Sequence, residues 1–88
     1  MVRRRVIAHG RVQGVFFRES VRRRAEQLGV AGSATNRDDG TVEVVLEGPE
    51  EDVAMLVDFC RQGPGHAEVE RIESFDEEPE GLTAFRTR

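Results

Sequence analysis

The sequence predicts an α+β fold, with two helices on one face of an antiparallel sheet in the split β-α-β, or ferredoxin-like, arrangement. Three observations carry this expectation. The 88 residues give room for one domain only. The candidate elements run β-α-β-β-α-β-β, with each helix where a crossover would be. An Asp-Gly turn joins the second and third strands, the mark of a hairpin.

The first strand is expected over residues 3–11, where Val6, Ala8 and Gly10 point one way. Arg5, Ile7, His9 and Arg11 point the other. A glycine-containing segment, Arg11-Val12-Gln13-Gly14-Val15, then breaks it. The first helix is expected over 17–28, with Phe17, Val21, Ala25 and Leu28 on one face. Gly29 stops it, because glycine takes the left-handed conformation at a helix end without penalty.

A small, polar second strand follows over 30–36, then the turn Arg37-Asp38-Asp39-Gly40 and a third strand over 41–47. Val42, Val44 and Leu46 alternate toward the core. Pro49 suits the first position of a second helix, and Glu50, Glu51 and Asp52 favour the positive end of its dipole. Val53, Leu56, Val57 and Cys60 form its buried stripe, and Gly63-Pro64-Gly65 ends it. A fourth strand lies within 67–76. Its apolar residues Val69 and Ile72 are three apart, which predicts a bulge. Residues 76–81 read as an acidic loop and 82–87 as a short last strand with Phe85 inward.

Composition excludes several classes. No apolar run approaches the ~20 residues of a membrane span, and the first ten residues lack a secretion signal's apolar region. A single cysteine allows no internal disulfide, and Cys60 with His9 and His66 makes no zinc cage. The expected compartment is a reducing cytosol. With no lysine, Schiff-base chemistry and a lysine-bearing phosphate loop are out of reach. Charge is segregated: residues 1–37 hold nine arginines and two glutamates, residues 38–88 four arginines and fifteen acids. A cationic first half suits a small anion, although two halves neutralising each other would serve equally well.

Two segments carry chemistry. Gly10-Arg11-Val12-Gln13-Gly14-Val15-Phe16-Phe17-Arg18 joins a strand end to a helix start, where main-chain N–H groups lack partners. Gly14 lets the loop curl so that these donors converge on an oxyanion. Arg18, in the first helical turn, brings a planar fork of donors that matches phosphate oxygens. The plainer reading is an ordinary loop with a surface arginine. The second segment is Asn36 ahead of its turn, where asparagine is common for backbone reasons alone.

Together, Gly10-x-Val12-Gln13-Gly14-Val15-x-Phe17-Arg18, Gly32-x-x-x-Asn36-x-x-x-Gly40-x-Val42 and Gly48 resemble the acylphosphatases, and the element order agrees along the chain. The resemblance implies hydrolysis of an acyl phosphate to carboxylate and inorganic phosphate, without metal or other cofactor. It implies that loop 12–18 (Val12, Gln13, Gly14, Val15, Phe16, Phe17 and Arg18) binds phosphate through main-chain N–H groups. It makes Arg18 the phosphate-binding catalytic arginine and Asn36 the residue that orients water. Inorganic phosphate or sulfate would fit the same place. The chain departs from the family at Ser33, where an aromatic residue is usual, and at Thr35, often basic. Looser packing and altered substrate preference are the expected consequences.

Other groups read as structural. His9 is expected to be structural or solvent-facing, His66 to lie in a loop, and Cys60 to be a buried thiol. Arg22-Arg23-Arg24 reads as a solvated helix face, with Arg22 or Arg23 a candidate to strengthen the site's field. Three other functions compete: an anion-binding module without turnover, a detached copy of the similar domain in carbamoyl-transferring maturation proteins, and RNA binding on the sheet. The last lacks stacking aromatics on its central strands and carries net negative charge. No nucleic acid or membrane partner is expected. With no long apolar stripe left over, neither is a second copy.

Overall fold

A computed structural model describes Met1–Arg88. Seven elements follow in order: β1 (Val2–Arg11), α1 (Phe17–Leu28), β2 (Ala31–Asn36), β3 (Val42–Gly48), α2 (Glu50–Gln62), β4 (Glu68–Glu77) and β5 (Phe85–Thr87). The sheet order is β4-β1-β3-β2-β5. Two helices pack on this mixed five-stranded sheet, in the expected ferredoxin-like arrangement.

One pairing differs from the expectation. The first four strands are antiparallel to their neighbours, but β5 runs parallel to β2. The cause is where the chain arrives. β4 ends at the end of the sheet where β2 begins, so a strand entering there runs in β2's direction. Residues 78–84 are spent crossing from one edge to the other, which shortens the last strand to Phe85–Thr87. β4 itself runs on to Glu77, into the stretch expected as loop. Pro49 stands one place earlier than expected. It is the N-cap, extended at φ −58° and ψ 142°, and its carbonyl accepts from Val53 at 3.0 Å.

The remaining signals hold. Val6 pairs with Val44 and Ala8 with Val42, which puts the alternating apolar residues of both strands on the helix side. They meet Phe17, Val21 and Ala25 of α1, and Val53, Leu56, Val57 and Cys60 of α2, in one core with Ala34 and Phe85. Leu28 is half-buried against it. The register between β1 and β4 shifts at His9/Gly10, opposite Val69 and Arg71. Glu70 is therefore the extra residue, and the bulge sits where the spacing of Val69 and Ile72 placed it. No helix is long and apolar enough to cross a membrane.

On the other face of the sheet Glu47 has a structural task. Its carboxylate is 2% exposed and accepts from the N–H groups of Glu80, Gly81 and Leu82 and from Arg3 Nη1 at 2.7–3.1 Å. It pins the crossing segment to β3. Burial opposes its charge, but these four donors outweigh that cost and hold its pKa below the usual glutamate value.

The topology gathers one end of the sheet for the site. There β1 and β2 finish, β3 and α1 start, and the 63–66 loop leaves α2.

Candidate active site

Loop 12–18 is held from below by three side chains. Val12, Val15 and Phe17 are buried, while Gly14 and Phe16 face solvent. Gly14 has φ +72°, a left-handed conformation that glycine adopts freely. Gln13 to Phe16 donate none of the main-chain hydrogen bonds outside the regular elements. Phe17 and Arg18 fall in the first turn of α1, where no helical carbonyl precedes their N–H groups. The loop thus presents a run of main-chain donors without protein acceptors, at the positive end of α1.

A second loop braces the first. His66 N–H donates to Val15 O at 3.0 Å. Gly65 passes so close that an added Cβ would stand 2.7 Å from Val15 O. The His66 ring meets the Phe16 ring edge-on, centroids 6.0 Å apart. Sequence reading gave His66 no such contact, because no local pattern marks a loop that packs on another so distant in the chain.

Arg18 Nη1 donates to the main-chain oxygen of Arg88 at 2.6 Å, and Asn36 N–H donates to the same oxygen at 3.2 Å. Arg88 therefore joins the arginine to the asparagine, which make no direct bond. This leaves Nε and Nη2 of Arg18 unengaged by the protein. The Asn36 side chain has a buried Oδ1 with no hydrogen-bond partner. A buried acceptor without a partner costs about 1–3 kcal/mol, so such an atom fits a place meant for a ligand or water.

Gln13 provides a further link. Its Nε2 donates to Arg37 O at 2.7 Å and to Thr41 O at 2.9 Å, the two ends of the hairpin turn after Asn36. The turn is closed within itself by Arg37 N–H to Thr41 O and by Asp39, which accepts from both the main chain and the hydroxyl of Thr41. Those bonds hold the Asp39 carboxylate below its ordinary pKa. Sequence reading marked Gln13 for its main chain only; its side chain ties the two halves of the site together.

Val12, Gly14, Phe16, Phe17, Arg18 and Glu19 line a hollow of about 260 Å³. Asn36 faces a separate hollow with Arg37, Asp38 and Asp39. A larger one, about 420 Å³, lies on the outer sheet face and includes Ser33, Thr35 and Arg86. Loop N–H groups at Glu80, Gly81 and Leu82 border it, but Glu47 takes them, so it offers no free main-chain cradle. Ser33 and Thr35, the two departures from the motif, thus face away from the core, and Ala34 between them is fully buried.

The other candidates have structural partners. Arg22 is bound to Glu19 and Glu26, which spends its charge within the helix, and Arg24 lies over the Phe59 ring. His9 pairs with Glu73 on the outer face at 2.6 Å. Cys60 is buried, which pushes its thiol up to about 12. No group of three His, Cys, Asp or Glu side chains is placed to hold a metal ion.

Comparison with known proteins gives a consistent result. The family model described as Acylphosphatase matches residues 4–87. An acylphosphatase of Haloarcula marismortui is 46% identical over 86 residues, 98% of this chain and 94% of its own. The crystal structure of acylphosphatase from Bacillus subtilis superposes with a TM-score of 0.95 at 37% identity, covering 100% of this chain and 99% of that one. The crystal structure of T.kodakarensis HypF matches at TM-score 0.84 and 31% identity, but over 12% of its own length.

Proposed function

Because this chain belongs to the acylphosphatase family, we propose that it hydrolyses acyl phosphates by phosphoryl transfer to water, using loop 12–18, Arg18 and Asn36. It is a hydrolase acting on acid anhydrides. The finer assignment rests above all on one observation: a run of main-chain donors without acceptors ends on the Arg18 guanidinium.

An acyl phosphate is a mixed anhydride with a carboxylate as leaving group. Its transfer to water passes through a loose transition state, with charge spread over three equatorial oxygens. Catalysis is then mostly positioning and electrostatics. The loop N–H groups of residues 13–18 take phosphate oxygens. Nε and Nη2 of Arg18 take two more contacts, while Nη1, held by Arg88, fixes the guanidinium plane. Asn36 Oδ1 accepts a hydrogen bond from the attacking water and aims it at phosphorus. The new O–P bond forms as the bond from phosphorus to the acyl oxygen breaks. The carboxylate leaves with that electron pair, and the water proton passes to a phosphate oxygen.

No strong base lines the loop hollow. Its one carboxylate, Glu19, is hydrogen-bonded to Arg22, which lowers its pKa and its basicity. Proton transfer to the substrate suits such a site, and neither a metal nor another cofactor is needed in this scheme. We read the chain as one domain, acting as a cytosolic monomer.

The test is hydrolysis of benzoyl phosphate in EDTA by the wild type, Arg18→Ala and Asn36→Ala. Loss of one transition-state donor costs about 10²–10³-fold in kcat, and each variant is expected to lose at least that much while keeping its circular dichroism. A folded wild type that binds inorganic phosphate without turnover would transfer the pocket to an anion-binding module.

A further inference from the structure

We propose that Phe16 is the acyl-side specificity residue: its exposed ring is the platform on which an uncharged, apolar and preferably ring-bearing acyl group rests. This rests on the reading of the loop as the phosphate site and adds the leaving-group half of the substrate.

Four observations converge on this residue. Phe16 is 68% exposed, although it adjoins a fully buried phenylalanine and stands in the loop that carries the donors. It is the only non-glycine residue with positive φ, at 65°. A left-handed conformation costs a residue with a Cβ about 1–2 kcal/mol, and such strain collects where function requires it. Glycine would satisfy that backbone without the cost, so backbone geometry gives no reason for a phenylalanine, and a mostly exposed ring gains little from packing. The ring lines the same hollow as Gly14 and Arg18, and its one ring–ring contact is with His66, whose plane stands at 66° to its own and so does not stack on it.

Direction follows from the chemistry. In an in-line displacement the leaving oxygen lies across phosphorus from the attacking water. Asn36, which aims the water, faces its own hollow beside the hairpin turn. The acyl group therefore projects away from it, into the hollow that Phe16 borders. Charge selects the kind of group. Arg18 is the only cation lining this hollow and is engaged with phosphate, and the other charged side chain is Glu19, paired with Arg22. A second carboxylate on the acyl chain finds no partner there. An aromatic or apolar chain finds a ring face, and an aromatic pair is worth about 0.5–1.5 kcal/mol beyond the area it buries.

The experiment compares benzoyl phosphate, acetyl phosphate and succinyl phosphate as substrates of the wild type, Phe16→Gly and Phe16→Leu. The readout is the ratio of kcat/KM for benzoyl over acetyl phosphate. Any change in the loop's grip on phosphate acts on both substrates and cancels in that ratio. The ratio is expected to fall roughly three- to tenfold in Phe16→Gly, with Phe16→Leu between, and succinyl phosphate to be the poorest substrate of the wild type. The melting temperature of Phe16→Gly should stay level or rise, because the backbone strain is relieved. A ratio within twofold of the wild type would overturn the proposal. So would a folded Phe16→Gly inert on both substrates, which would place the residue's role at the phosphate end. A wild type inert on every acyl phosphate would instead defeat the functional reading itself.

Discussion

Glu47 shows how one carboxylate can fix a connection. Four donors from two distant parts of the chain meet on it, three of them main-chain N–H groups. Replacing it with alanine leaves Arg3 and the N–H groups of Glu80, Gly81 and Leu82 facing a void. Removing one partner of a buried ion pair typically costs about 3–5 kcal/mol. Arg3 keeps Glu77 and Glu80 as partners, so the lower end applies here. Glu47→Ala is expected to lower Tm by more than about 10 °C, at roughly 4–8 °C per kcal/mol for a domain of this size. A scanning calorimetry trace that shifts by under about 3 °C would contradict the pinning role. Nothing in the strand pattern distinguishes Glu47 from Glu43, since both alternate outward from the core. Arg18 and Asn36 were legible because their types and spacing sit within a motif. The contacts of Glu47 and Arg88 were not, because they link distant parts of the chain and are made largely to the main chain, which carries no residue signature.

The elements themselves followed from local physics wherever one face was buried. The β3 alternation, the α1 stripe and the Val69–Ile72 irregularity each have a core that enforces them. The last strand ended differently because its limits are set by a crossing, and no local pattern records how many residues a crossing uses. The hairpin after β2 poses a functional question at this scale. It carries Asn36 and is tied to loop 12–18 by the Gln13 amide. Gln13→Met keeps the length of the side chain and removes both hydrogen bonds. Two carbonyls lose a donor, but Arg37 is exposed to water and the oxygen of buried Thr41 keeps the Arg37 N–H at 2.9 Å, so Tm should move little. The distance from Asn36 to the bound phosphate becomes less well fixed, and a misplacement of about 1 Å can cost up to 10²-fold in rate. A fall in kcat of roughly tenfold is expected, with the inhibition constant of inorganic phosphate within about twofold. In an Asn36→Ala background the same substitution should cost little more, because the residue that Gln13 positions is already gone. Equal losses in both backgrounds would show that Gln13 acts elsewhere.

At the scale of the whole molecule the uneven charge of the two halves of the sequence resolves into two uses. Most of the β1 arginines meet acids of the later half across the sheet: Arg3 with Glu47, Glu77 and Glu80, Arg4 with Asp76, and Arg5 with Glu43 and Glu77. Arg18 pairs with no Asp or Glu side chain, and its one protein partner, the Arg88 main-chain oxygen, engages only Nη1. The first use gives the molecule a defined response to acid. Glu77 is held below its ordinary value by Arg5 and Arg3, Glu73 by His9, Glu19 by Arg22, and Glu47 by its donors against the cost of burial. Each group is therefore protonated more readily in the unfolded chain than in the folded one. Their contribution is complete above the ordinary glutamate value of 4.5 and is lost as pH falls through the lower folded values. Tm is expected to stay nearly level from pH ~7 to ~5 and then to drop steeply toward pH ~2. Glu77→Gln should lower the plateau slightly and make the acid limb shallower, because its two arginines then hold an uncharged amide at every pH. Added salt should screen the exposed pairs while leaving the buried Glu47 contacts nearly intact. A melting temperature that is flat down to pH ~2, or an acid limb unchanged in Glu77→Gln, would show that these pairs contribute no net stability to the fold.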